Sequence, residues 1–223
     1  MSYSIKMLEK RIEKKFVLGK YKDDFIKKYL LINGFTKHYP DRIITSIYLD
    51  TLNYNFAKDN INGVSERRKI RFRWYNNKTN QIFIEEKNKQ NFQVWKNINK
   101  IDSFHENIDL IKKIKNYIYT NNISILKNNN YKIILKTNYK RSYWISHNKK
   151  IRATIDKDIN ATSLNNLNKA IYFSDTILEF KYSPDNENYF RNFFNKTNYK
   201  LRNQKYSKYV RSFVALENSG YRI

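Results

Sequence analysis

A chain of 223 residues that carries 44 Lys+Arg against 20 Asp+Glu has a formal net charge of +24, which calls for an anionic partner: nucleic acid, a membrane surface or a phosphorylated small molecule. Cysteine is absent, so disulfides, thiolate metal sites and Cys nucleophiles are excluded. The four glycines, Gly19, Gly34, Gly63 and Gly220, lie too far apart for a P-loop or a dinucleotide fingerprint, so any phosphate must be held by side chains.

Residues 8–18 alternate charged and apolar positions and read as a strand. Residues 21–32 read as a helix, with Asp23 and Asp24 favouring its start, a stripe of Phe25, Tyr29 and Ile32, and Gly34 at its end. Residues 42–51 form an apolar strand, and 54–62 a short irregular or helical piece. Residues 67–75 and 81–88 form a hairpin about a turn at 76–80, followed by a strand at 92–98. A capping box, Ser103 to Glu106, opens a helix that runs to Tyr119. A polar loop at 121–130 leads to paired strands at 131–146 and 149–157. Residues 160–170 are Asn-rich and loop-like or weakly helical, and 176–182 form a short strand. Ser183-Pro184 starts a helix with Tyr189, Phe190, Phe193 and Phe194 on one face. The last helix, 206–216, carries Tyr206, Tyr209, Val210, Phe213 and Val214 at helical spacing. There is no repeat and no linker, so one α+β domain over 1–223 is expected.

The most informative spacing is in the hairpin. Lys69, Arg71 and Arg73 occupy alternate positions, with Ile70, Phe72 and Trp74 between them. A strand sends these to opposite faces. Similar alternation recurs at Arg11, Glu13 and Lys15, at Glu85, Lys87 and Lys89, at Arg152, Thr154 and Asp156, and at Glu179 and Lys181. Solvated charge is the ordinary outcome for one such strand. Four amphipathic helices must nevertheless bury their stripes, and an antiparallel sheet of about eight strands closed into a barrel would let them cover its outside. The charged faces would then line the interior, where only a ligand or water could offset them.

Eight short motifs occur in order along almost the whole chain. They are Arg11-Ile-Glu-Lys-Lys-Phe-Val, Ser46-Ile-Tyr-Leu-Asp-Thr, Arg68-Lys-Ile-Arg-Phe-Arg-Trp-Tyr, Phe83-Ile-Glu-Glu-Lys-Asn-Lys, Tyr139-Lys-Arg-Ser-Tyr, Arg152-Ala-Thr-Ile-Asp, Leu178-Glu-Phe-Lys and Tyr206-Ser-Lys-Tyr. The series resembles the VTC domain, the polyphosphate polymerase domain of the vacuolar transporter chaperone type, within the CYTH-like triphosphate tunnel metalloenzymes. The resemblance implies an antiparallel β tunnel covered by helices and closed at one end by a C-terminal helix. It also implies ATP and inorganic polyphosphate, or another triphosphate, as substrates, and Mn²⁺ or Mg²⁺ as cofactor. Carried onto this sequence, Lys15, Arg71, Arg73, Lys87, Arg141, Arg152, Lys181 and Lys208 would bind the reacting phosphates. Lys69, Lys89 and Lys205 would assist, Glu179 would hold the metal, and Glu13 and Glu85 would support the metal or orient Lys15 and Lys87.

The residue types suit phosphoryl transfer, which needs positioning and charge neutralisation more than covalent help. Asp50 reads as a turn or cap residue, Asp156 and Thr154 as strand-end structure, and Trp74, Trp95 and Trp144 as packing. His38, His105 and His147 have no zinc-like spacing. Three readings stand: a polyphosphate polymerase, a tripolyphosphate hydrolase on the same tunnel, and a non-catalytic polyanion or nucleic-acid binder. The charge permits the last, but Glu alternating with the cations disfavours it. No apolar run approaches the ~18 residues of a membrane span, and residues 1–10 lack a signal peptide's apolar stretch. A cytoplasmic protein is therefore expected, with an unseen membrane partner if its product crosses a membrane.

Overall fold

The computed structural model describes residues 11–19, 23–91, 93–102, 110–120, 130–164, 169–195 and 201–218. Nine strands alternate with five helices in the order β1 (Ile12–Leu18), α1 (Asp23–Ile32), β2 (Phe35–Thr51), α2 (Asn55–Ile61), β3 (Arg67–Tyr75), β4 (Lys78–Gln90), β5 (Gln93–Asp102), α3 (Leu110–Thr120), β6 (Tyr131–Ser146), β7 (Ile151–Ser163), β8 (Ala170–Phe173), β9 (Thr176–Tyr182), α4 (Glu187–Asn195) and α5 (Lys208–Asn218). This is the expected α+β class. The strands form one antiparallel sheet in the order β1-β9-β7-β6-β2-β3-β4-β5, and β8 pairs with β7. Among the described residues β1 and β5 are its edges. The sheet curls far enough for Lys87 of β4 to donate to Glu13 of β1 at 2.9 Å.

Period-two alternation decides which face is inside. Ile70, Phe72, Trp74, Ile82 and Ile84 point outward into a core shared with Phe56 of α2, Ile114 of α3 and Tyr209 and Leu216 of α5. A second core packs Phe16, Leu18, Ala153, Ile155, Leu178 and Phe180 against Ile26, Tyr29 and Leu30 of α1 and Phe190 of α4. The apolar faces are thus covered by helices, and the charged faces converge inside.

Several elements differ from the sequence reading. β2 starts seven residues early, at Phe35, because it pairs with β6 through register shifts on either side of Tyr39, next to Pro40; proline is tolerated in a strand at such irregularities. The hairpin turn is only Asn76-Asn77, both with positive φ (51° and 58°), a conformation Asn tolerates and two-residue turns require. Residues 160–163 are strand rather than loop, pairing with β6 on one side and β8 on the other. Ile32 is 84% exposed, so the buried stripe of α1 is Ile26, Tyr29 and Leu30. Val214 of α5 and Tyr189 of α4 are likewise exposed. The capping box at 103–106 and the loop at 121–129 lie outside the described residues. Among the described residues no helix is long and apolar enough to cross a membrane.

Asp50 behaves as the cap it was read to be, and as more. Its carboxylate accepts from the backbone N–H groups of Thr51 (2.7 Å), Phe56 (2.9 Å) and Ala57 (3.0 Å), and from the Tyr209 hydroxyl. One fully buried side chain therefore ties β2, the start of α2 and the C-terminal helix together.

Candidate active site

The inner face encloses a cavity of about 370 Å³ lined by β1, β2, β3, β4, β5, β6, β9 and the start of α5. Ten of its lining side chains are Lys or Arg and three are Glu. Lys15, Arg71, Arg73, Lys87, Arg141, Lys181, Lys208, Lys69, Glu13, Glu85 and Glu179 all line it. Arg152, Lys89 and Lys205 do not. Arg152 and Lys205 are exposed. Arg152 sits beside Lys181 across β7 and β9, and Lys89 faces Arg67 across β3 and β4.

Three clusters organise the charge. Glu85, 4% exposed, accepts from Arg71 Nε (2.6 Å) and Lys96 Nζ (2.6 Å), with Arg73 at 3.5 Å. Burial alone would raise its pKa, but these three cations outweigh burial and hold it far below the carboxylate range. Asp156, 1% exposed, accepts a fork from Arg141 (2.5 and 2.7 Å) and a bond from Lys208. Its pKa is pulled down to about 2 against the opposing effect of burial. Glu179 is ringed by Lys181 (3.5 Å), Lys15 (3.6 Å) and Arg141 (3.8 Å), which keep it well below its ordinary value despite burial. Lys181 also reaches Glu13 at 3.7 Å.

The C-terminal segment completes the wall. Asn203 and Gln204 bond to the free edge of β1 at Lys15 (2.9 and 2.8 Å), and Lys15 Nζ donates to the Tyr206 carbonyl at 3.1 Å. Ser207 caps α5, accepting from the Val210 N–H at 3.4 Å, and also accepts from Lys69 Nζ at 2.8 Å. Ser207, Lys208 and Tyr209 line the cavity, so the positive end of α5 faces it. Lys205 precedes the helix and points elsewhere.

Lys69 has cations for neighbours and no carboxylate. Burial, then Lys15, Lys87, Arg67 and Arg71, push its pKa down to about 7. The unfolded chain keeps that proton to about 10.5, so between pH 7 and 10 unfolding takes up protons and stability rises with pH. Lys69→Met should remove part of this slope and raise the melting temperature at pH 7, while weakening tripolyphosphate binding. A melting temperature that falls would contradict the idea that this lysine is held at a cost to the fold.

Sequence reasoning missed Lys96, whose strand was read without reference to its neighbours, and undervalued Asp156, which orients Arg141 and Lys208 rather than merely ending a strand. Tyr48 and Tyr139 also belong to the site. Their hydroxyls accept from Arg71 (3.3 Å) and Arg73 (3.1 Å), a role only the fold assigns. Trp74 and Trp144 pack as expected, whereas Trp95 borders the cavity.

Among the described residues no three His, Asp or Glu side chains gather as a metal cage. The donors still suit Mg²⁺ or Mn²⁺, which use one or two carboxylates and complete their shell with water and phosphate oxygens. Glu179 and Glu13, joined through Lys181, supply those carboxylates. The buried Thr154 hydroxyl, opposite Glu179 on β7, has no partner in the protein.

The sequence matches the family described as VTC domain over residues 10–217. No curated protein matches it. Among solved structures it is similar to a Hippeastrum protein described as an adenylyl cyclase with a dominant triphosphatase activity (TM-score 0.52, 11% identity, covering 96% of this chain and 97% of that one). It is also similar to a Vibrio parahaemolyticus protein described as an adenylate cyclase (TM-score 0.50, 10% identity, 92% and 98% covered). At these identities the likeness is one of fold.

Proposed function

Because the chain belongs to the VTC domain family, we propose that this triphosphate-tunnel enzyme is a polyphosphate polymerase, passing the terminal phosphoryl group of ATP to the end of an inorganic polyphosphate chain. The observation that carries this reading is the state of the cavity's carboxylates. Glu13, Glu85 and Glu179 are all held below their ordinary values by surrounding cations, against the opposing effect of burial. None is poised near neutrality to take a proton from water, as a hydrolase requires. A chain-end phosphate needs no such base, because its last pKa is roughly 6 and it is largely ionised at pH 7.

In the proposed reaction an oxygen of the chain-end phosphate forms a bond to the γ-phosphorus. The bond from that phosphorus to the β–γ bridging oxygen breaks, and ADP leaves. Arg71, Arg73 and Arg141 offer in-plane forks to phosphate oxygens, while Lys15, Lys181 and Lys208 act as point charges. Glu85 and Asp156 fix the arginines before substrate arrives, so little reorganisation is left for the reaction itself. A divalent ion held by Glu179 and Glu13 would supply further charge neutralisation at the transferred group.

The test is to incubate the protein with ATP and Mn²⁺ or Mg²⁺ and follow ADP, free phosphate and long-chain polyphosphate together. ADP with polymer, both lost in Glu179→Ala, is the expected result. Free phosphate without polymer would make the protein a hydrolase on the same tunnel. No turnover of ATP or tripolyphosphate would leave a polyanion-binding module.

A further inference from the structure

The two ends of the cavity are chemically different. Along β3 the inward face reads Arg67, Lys69, Arg71, Arg73 and Tyr75, about 26 Å at ~3.3 Å per residue. The facing positions on β4 are Lys89, Lys87, Glu85 and Phe83. One end is therefore cationic on both strands, and the other is aromatic. At the aromatic end Arg42 of β2 directly opposes Arg141 of β6, and Tyr39 opposes Tyr143. The Arg42 guanidinium lies 5.7 Å from the ring centroids of Tyr39 and Tyr75 and 5.8 Å from that of Tyr143. Tyr39 and Tyr143 meet edge-on at 5.8 Å, and Tyr39 is 48% exposed.

Two arginines directly opposite one another repel. Arg141 is neutralised by Asp156, but among the described residues Arg42 has no carboxylate partner. Cation–π contact holds a guanidinium by its faces and leaves its N–H groups free in the plane. The tyrosine rings offer flat apolar surface next to them.

We propose that this mouth seats the nucleoside of the phosphoryl donor, a nucleoside triphosphate, with the base on the tyrosine rings and Arg42 at its polar edge. This rests on the reading of the cavity as a triphosphate site. With the triphosphate on Arg71, Arg73 and Arg141, the nucleoside leaves toward Tyr75, and the polyanionic acceptor approaches over Arg67, Lys69, Lys87 and Lys89. A base gains from π surface, and a polyphosphate gains from unpaired cations. Each end suits one of them.

The test is titration calorimetry with ATP and with tripolyphosphate, in EDTA so that nothing turns over. Tyr75→Ala and Arg42→Ala should each weaken ATP about tenfold, the scale of one lost stacking partner, and leave tripolyphosphate within twofold. Retained tripolyphosphate affinity also reports an intact fold. Tyr39→Ala, at the most exposed ring, provides a third variant with little risk to folding. Equal weakening of both ligands would make Arg42 one more phosphate cation and overturn the proposal, as would no weakening of either. Selective loss of ATP in Trp95→Ala, with none in the Tyr75 variant, would put the nucleoside at the cationic end and overturn it too. Because the readout is binding without metal, the nucleoside seat can hold even if no polymer is ever made.

Discussion

Arg73→Ala is expected to lower kcat/KM for triphosphate turnover roughly 10²–10³-fold, the cost of removing one fixed donor from a developing oxyanion. The size follows from how firmly this arginine is held. It is 6% exposed, donates to Ser46 Oγ and the Tyr139 hydroxyl at 3.1 Å each, and lies 3.5 Å from Glu85. Its orientation is fixed before any substrate binds. Arg73→Lys keeps the charge but loses the fork, and should recover only part of the rate. Stability should change little in either variant, because Glu85 keeps Arg71 and Lys96. Steady-state kinetics beside a thermal melt separates the two effects. Activity within threefold of the unmodified protein would remove Arg73 from the mechanism.

Asp50→Ala should give the largest loss of stability. It strips acceptors from the buried N–H groups of Phe56 and Ala57 and from the Tyr209 hydroxyl at once. Unsatisfied buried donors cost about 1–3 kcal/mol each before relaxation and water entry reduce the sum. A net loss of about 3–5 kcal/mol corresponds to a fall in melting temperature of about 10 °C for a chain of this size. Tyr209→Phe removes one of these bonds and should cost a fraction of that. Tyr209 also stacks on Tyr48, whose hydroxyl meets Arg71. Both variants should therefore loosen α5 and weaken tripolyphosphate binding. A melting temperature within two degrees of the unmodified protein in Asp50→Ala would show that water replaces the lost acceptor.

The inward cations of β1, β3, β4 and β9 were legible because period-two alternation is a local signal. Arg71 and Arg73 needed no knowledge of the strands beside them. Asp156 and Lys96 were not legible in the same way. Each matters through a partner on another strand or helix, Asp156 through Arg141 and Lys208, Lys96 through Glu85. Residues 160–163 were misread because asparagine-rich composition suggests loop, whereas pairing on both sides makes them strand. Pro40 hid the start of β2 for a related reason, since the register irregularity that accommodates it is set by β6. Arg152 shows the reverse error: its alternation was correct, but its position beyond the end of the cavity depends on the register of β7 and β9.

The bond between Lys15 and Asn203 joins residues 188 apart in sequence, and that from Lys15 to Tyr206 joins residues 191 apart. During synthesis the N-terminal strand must therefore wait for almost everything that follows it. Loop closure over such a span comes late and slowly. Until residues 203–209 have left the ribosome, β1 has an open edge and Lys208 is absent from Asp156. The emerging chain is then a cationic sheet without its wall, in contact with ribosomal RNA. Completion of the binding cavity and release from the ribosome thus become nearly the same event.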